Sequence, residues 1–332
     1  MDPLSQLPIP LLAWYRDNAR DLPWRRDPDP YRVWVSEIML QQTRIEAVRD
    51  YFERFTAAFP TVEALAAAEE DAVLKLWEGL GYYSRARNLH KCAKLVVSQF
   101  GGAFPRTAAE LKKLPGIGDY TAGAVASIAF GEPESAVDGN AVRVLSRLEN
   151  CGDPADEKLR ARYGAELKAI CPAGECGEFT SALMELGETV CTPGTPACDR
   201  CPLADLCAGR AAGRAGELPV RPPKRPRRIE ERRVLLLICG DRCAVRRRPE
   251  TGLLAGLWEL PNDRSPEPPQ GGEPCGEAVH VFTHAEWHMR GYIVRCAKEL
   301  PGFVWVTRAE RLALAMPSAF RYYTGILEEM GL

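Results

Sequence analysis

The sequence has no apolar run approaching the roughly 18 residues that a membrane-spanning helix needs. Its opening, MDPLSQLPIP, lacks both the basic head and the apolar core of an export signal. The expectation is a cytoplasmic protein that makes no membrane contact. Charge of one sign is also missing, because 43 Lys and Arg stand against 45 Asp and Glu, for a formal net charge of -2. Bulk charge therefore neither draws in a polyanion nor repels one, and local clusters must decide. Histidine is scarce, at 4 residues, and His280 and His288 read as packed or exposed side chains rather than zinc ligands. What is present is ordinary for a globular protein: 46% hydrophobic and 27% charged residues exclude a disordered chain. At 332 residues it can fold as two or three domains whose cores need no disulfides. The 12 cysteines then point to a metal site rather than a disulfide framework.

Up to residue 207 the periodic stretches read as helices: 62–80, 86–100, 107–114 and 120–130 all space their apolar residues by three and four. Residues 208–228 are rich in Gly, Pro and Arg and read as a linker. Beyond it, RRVLLLICGDRCAVRRR gives two strand-like runs around a Gly-Asp turn. EAVHVFTHAEWHMRGYIVRCAKEL and FVWVT are also strand-like, TRAERLALA suggests a short helix, and 261–278 read as an exposed loop. A smaller α+β domain is expected over 229–332.

Four features carry chemistry. Cys191, Cys198, Cys201 and Cys207 are separated by six, two and five residues. In a reducing compartment four such thiolates can enclose tetrahedral zinc or an iron-sulfur centre, and spacing alone leaves the two open. In LPGIG, residues 114–118, Gly116 and Gly118 allow close backbone approach, and the helix that follows offers unpaired N–H groups to a phosphate. Lys112 and Lys113 add positive charge there. Asp138 stands just before a helix in AVDGNAVRVLSRL, as a cap does. Amide donors there would keep it ionised, and an ionised carboxylate beside a sugar can stabilise positive charge at C1′. Finally, Glu37 lies four residues after Val33 and three before Leu40, on the apolar side of a helix, where burial raises a carboxyl's pKa and suits it to deliver a proton.

Together, LPWR with SEIMLQQT, the LPGIG hairpin followed by Asp138, and the C-x6-C-x2-C-x5-C loop resemble the adenine DNA glycosylase (MutY) family of the helix-hairpin-helix, endonuclease III-like superfamily. The resemblance covers about residues 10–330. It implies a mainly α helix-hairpin-helix glycosylase module bearing a [4Fe-4S] cluster on the four cysteines, with Arg200 in the basic loop that the cluster positions. A six-helix barrel module over about 28–135 and a cluster module from the N-terminal segment and 136–207 make up residues 1–207. ETGLLAGLWELPN, HVFTHAEWHMRGYIVRC and AMPSAFRYYTGIL resemble the family's C-terminal α+β Nudix-like domain, although the metal-binding Nudix box is absent.

The roles implied are Glu37 as acid, Asp138 as electrostatic or nucleophilic partner, Tyr120 and Asn140 around the scissile nucleotide, and Arg25 in support of the acid. Gln42, Thr43, Leu80, Tyr82, Gly116, Gly118, Phe282, Thr283 and His284 would contact DNA, with Thr283 standing where some relatives have serine. Lyase-competent relatives carry a lysine after the hairpin where this sequence has Tyr120, and a phenol forms no Schiff base. The implied activity is therefore monofunctional: a monomer, without nucleotide cofactor, hydrolyses adenine from double-stranded DNA mispaired with 8-oxoguanine or guanine, at the bacterial nucleoid. A superfamily glycosylase with another lesion specificity is one alternative. A non-catalytic damaged-DNA binding protein is another, and it would have no need of the pair Glu37 and Asp138.

Overall fold

The computed structural model describes residues 3–221, 226–265 and 269–332. Its contacts group the chain into two compact units, one of Met1–Ala67 with Asn88–Pro223 and the other of Ala68–Arg87 with Lys224–Leu332.

The first unit is helical. Helix α1 (Pro8–Asn18) is followed by α2 (Pro30–Leu40), which starts where it does because Pro30 takes the first turn and the Asp29 carboxylate accepts the N–H groups of Tyr31 and Arg32. Next come α3 (Ile45–Ala58) and α4 (Val62–Ala67); in the second unit lies α5 (Glu70–Leu76), and α6 (Ser84–Phe100) contains the boundary between the units. The single helix expected over 62–80 is thus two short ones, and Gly79 at φ 102° and Gly81 at φ 71° turn the chain beyond them. The short α7 (Ala108–Leu111) leads through the hairpin into α8 (Asp119–Phe130), which Gly131 closes in the left-handed conformation. Helix α8 presents Ala122, Gly123, Ala124 and Ala126 as buried positions, so small side chains let α2 and α11 approach it closely. Helices α9 (Gly139–Leu148), α10 (Glu157–Ile170) and α11 (Cys176–Thr189) pack with α1 around Leu7, Leu11, Leu145, Tyr163, Leu183 and Leu186. Cys171 is joined as a disulfide to Cys176, the first residue of α11, whereas Cys92 and Cys243 are buried thiols.

Ala208–Ala211 form a last turn, α12, inside the stretch expected to be linker, and residues 222–225 of that stretch lie outside the described residues. In the second unit a mixed sheet runs β3-β2-β1-β5-β4, with β6 also paired to β2. Its strands are β1 (Arg228–Cys239), β2 (Arg242–Arg247), β3 (Trp258–Glu259), β4 (Glu273–Val281), β5 (Ala285–Arg295) and β6 (Val304–Thr307). Strand β1 pairs parallel to β5 and antiparallel to β2. Its run VLLLI is apolar at every position because both faces are covered: Val234, Leu236 and Ile238 join one cluster and Leu235 and Leu237 the other. Helices α13 (Arg308–Ala313) and α14 (Arg321–Glu329) follow, and α14 packs Tyr323 and Leu327 into the first of these clusters. The loop expected over 261–278 ends sooner, since β4 already begins at Glu273; residues 266–268 of it lie outside the described ones.

Candidate active site

In the helical unit the ends of α2, α8, α9 and α11 surround a cleft of about 680 Å³. Glu37 reaches it from α2 and is 4% exposed, and Tyr120 from the first turn of α8 donates its hydroxyl to Glu37 Oε2 at 2.6 Å. Burial pushes the Glu37 carboxyl up to about 7; the Tyr120 hydrogen bond opposes the rise, Asp138 adds to it and Arg25 opposes it. Burial and the neighbouring carboxylates also hold the Tyr120 phenol protonated well beyond its ordinary range. The site therefore holds a carboxyl that can exchange its proton near neutral pH.

Asp138 is the N-cap of α9, and its Oδ1 accepts the Ala141 N–H at 2.7 Å. Amide donation from Ala141 and Asn140 lowers its pKa, as expected of a cap, but burial outweighs it and the net displacement is upward. Asn140 Nδ2 donates to Asp138 Oδ2 at 2.8 Å, and its Oδ1 accepts from Arg143 Nη2 at 2.7 Å. Arg25 lines the same cleft, held by Glu185 Oε2 at 2.7 Å, and Arg20 Nε meets the other oxygen at 2.5 Å. Gln42, at φ 57°, and Thr43 lie at the cleft where α2 ends. Glu37, Tyr120, Asp138, Asn140, Arg25, Gln42 and Thr43 thus meet around one space. Sequence reasoning missed Glu185, Glu188 and Arg143. Glu185 is fully buried, but the residues three and four away on α11 are Ser181, Ala182, Glu188 and Thr189, so helical spacing carried no signal for it.

The hairpin lies between α7 and α8. Gly116 takes φ 77° and sits so close to Asn88 that a Cβ would come within 2.7 Å of the Asn88 Cβ. Gly118 is the N-cap of α8, with no side chain over the helix N–H groups. Lys112 is ion-paired with Asp119. Cys191, Cys198, Cys201 and Cys207 line one largely apolar cavity with Leu186, Val190 and Leu203. The fully buried Arg147 donates to Cys191 Sγ at 3.3 Å, and the Arg210 N–H to Cys207 Sγ at 3.4 Å. Among the described residues no three His, Cys, Asp or Glu side chains converge as a single ion requires. Four thiols lining one apolar cavity, with a cationic donor on Cys191 and an amide donor on Cys207, are a donor set that suits an iron-sulfur centre. Arg200 is exposed on the turn Cys198–Arg200.

In the second unit, Leu80 is buried and Tyr82 is 45% exposed at φ 48°. The Tyr82 hydroxyl is 2.7 Å from Thr283 Oγ1. Thr283 and His284 are exposed at the β4–β5 turn, while the Phe282 ring is wedged edge-on between His280 and Trp287, with centroids 4.6 and 4.9 Å away.

Residues 35–168 match the HhH-GPD superfamily base excision DNA repair protein family, 191–207 the iron-sulfur binding domain of endonuclease III, and 233–324 a NUDIX domain. The adenine DNA glycosylase of Rattus norvegicus is 35% identical over 94% of this chain and 77% of its own length. That of Homo sapiens is 34% identical over 95% and 73%. The chain belongs to the adenine DNA glycosylase family. The helical module of this family member is similar to two solved structures. A thermostable thymine-DNA glycosylase matches at a TM-score of 0.57 and 27% identity, covering 63% of this chain and 97% of the other. A non-covalent endonuclease III–DNA complex gives 0.53 at 26%, covering 61% and 92%. The segment 191–207, matched as an iron-sulfur binding domain, takes in all four cysteines of the cavity.

Proposed function

We propose that this chain hydrolyses the N-glycosidic bond of adenine mispaired with 8-oxoguanine or guanine in duplex DNA. The observation that carries the reading is the cleft in which a buried, protonated Glu37, hydrogen-bonded by Tyr120, faces the helix-capped Asp138. Glu37 gives its proton to the adenine ring as the C1′–N bond breaks and its electron pair leaves with the base. Asp138 stabilises the cation left on C1′, by charge or by a transient ester, until water adds its hydroxyl there and its proton restores the Glu37 carboxyl. Tyr120 and Asn140 orient the two carboxyl groups, and Arg25 supports the acid. The amine of a lyase has no counterpart at Tyr120, so the product strand stays intact. Gly116 and Gly118 hold backbone phosphate. Gln42, Thr43, Leu80 and Tyr82, with Phe282, Thr283 and His284, address the base opposite adenine. The cluster on the four cysteines is [4Fe-4S] and shapes the fold beside Arg200. The enzyme acts as a monomer on DNA in the cytoplasm, without a nucleotide cofactor.

Free adenine released from a defined duplex under single-turnover conditions tests this reading. The wild type should release adenine and leave a strand that breaks only on heating with alkali. Glu37→Gln and Asp138→Asn should bind the duplex while excision falls by about 10²-fold or more. Near-normal excision by either variant removes that residue from its role, and no adenine from the wild type removes the reading.

A further inference from the structure

One carboxylate in the cleft is without a task in the reaction above. Glu188 lies on α11 directly after Gly187, whose backbone presses on α9 so closely that a Cβ there would lie 2.6 Å from the Asn140 Cβ. That approach brings Glu188 Oε1 to 2.8 Å from Asn140 Nδ2, the atom that also donates to Asp138 Oδ2 at 2.8 Å. A side-chain amide nitrogen carries two hydrogens, and here each meets one carboxylate. The amide oxygen is taken by Arg143 Nη2 at 2.7 Å. Arg143 is itself fixed, since the same nitrogen donates to Gly187 O at 2.7 Å and Nε donates to Cys191 O at 2.7 Å. Turning the amide over would set its oxygen against two carboxylates and its NH₂ against a guanidinium, so only one orientation is compatible with the surroundings.

We propose that Glu188 is a positioning residue for base excision: by holding the second hydrogen of the Asn140 amide it keeps the first on Asp138 Oδ2. Asp138 Oδ1 is fixed by the Ala141 N–H, and the Asn140 side-chain bond to Oδ2 helps set the plane of the carboxylate toward the sugar. Glu188 is exposed to the cleft and need not touch the substrate to act. Losing it hands one amide hydrogen to water and leaves the amide held by Asp138 and Arg143 alone, which loosens its position, and a catalytic carboxylate displaced by a fraction of an ångström loses rate rather than affinity. The inference rests on the adenine-excision reading.

The test compares wild type, Glu188→Gln, Glu188→Ala, Asn140→Ala and the double variant Glu188→Ala/Asn140→Ala in the full-length, cluster-loaded protein. Single-turnover adenine release and duplex affinity are measured on the same preparations, and thermal unfolding verifies the fold. Glu188→Ala should slow excision about tenfold at unchanged affinity. Glu188→Gln retains an acceptor for the amide hydrogen and should stay within about threefold of wild type. In the Asn140→Ala background Glu188→Ala should cost nothing further. The inference is overturned if Glu188→Ala excises at the wild-type rate, if Glu188→Gln falls as far as Glu188→Ala, or if the Glu188→Ala loss persists without Asn140. A wild type that releases no adenine defeats the underlying reading instead, so the two failures are told apart.

Discussion

Glu37 was legible in the sequence because the spacing of Val33 and Leu40 puts it on the apolar side of a helix and the surrounding SEIMLQQT resembles the family's segment, and the structure buries it to 4% exposure. Tyr120 as its hydrogen-bond donor was not legible from pattern, since the two are 83 residues apart and meet only through the packing of α2 on α8. Burial makes Glu37 useful and costly at once. Its proton affinity rises from 4.5 to about 7 on folding. Between those values the folded state binds more protons than the unfolded one, so stability falls as pH rises. The contribution is fully present below about 4.5, is lost as pH passes about 7, and amounts to roughly 3 kcal/mol at about 1.4 kcal/mol per pH unit. Glu37→Gln carries no such charge. Relative to wild type it should gain up to about 3 kcal/mol in urea unfolding between pH 4.5 and pH 8, while wild-type excision should decline above about pH 7 as the acid ionises. A stability difference that does not change with pH would mean that Glu37 is solvated in the folded protein.

At the scale of elements, periodicity located α6 and α8 within a residue or two, but joined α4 and α5 into one helix. A helix-compatible spacing continues through 68–80, and the turns at Gly79 and Gly81 depend on where the segment packs. The same limit hid Glu185. Its neighbours three and four residues away on α11 are mostly polar, and its partners Arg20 and Arg25 come from the connection between α1 and α2, some 160 residues away. The outcome is opposite in sign. Two guanidinium groups outweigh burial and hold Glu185 below the usual carboxylate range, so it stays ionised where Glu37 stays protonated. Removing its charge leaves two partly buried cations without the carboxylate they share. Glu185→Gln should therefore destabilise the fold by about 3–5 kcal/mol, measured by denaturant unfolding. It should also slow excision, because Arg25 loses the anchor that holds it in place and becomes free to pair with Glu37. A variant as stable as wild type would show that Arg20 and Arg25 are solvated without Glu185.

At the scale of the whole molecule, composition placed a boundary in the Pro- and Arg-rich stretch, and a boundary is what composition can show. It could not show that Ala68–Arg87, embedded in the helical half of the sequence, pack with the C-terminal part of the chain. Lys75 Nζ donates to Leu314 O at 3.1 Å, the Met316 N–H donates to Glu78 Oε1 at 3.0 Å, and Tyr82 meets Thr283 at 2.7 Å. Such contacts join positions more than 200 residues apart, and no local pattern encodes them. They also change how recognition of 8-oxoguanine is best tested. Deleting the C-terminal domain would remove the packing partner of Tyr82 together with Thr283, and lost discrimination could not be assigned to either. Substitution in the full chain separates them. An exposed hydroxyl pair is worth about 0.5–1.5 kcal/mol, so Tyr82→Phe and Thr283→Val should each reduce the preference for adenine opposite 8-oxoguanine over adenine opposite guanine by about two- to tenfold. Because each variant breaks the same bond, the double variant should lose little beyond either single one. Single-turnover rates on both mismatches at fixed salt give the cycle directly. Losses that multiply in the double variant would mean that Tyr82 and Thr283 read the opposing base independently, and unchanged discrimination in both would place the reading of 8-oxoguanine on Gln42 and Thr43.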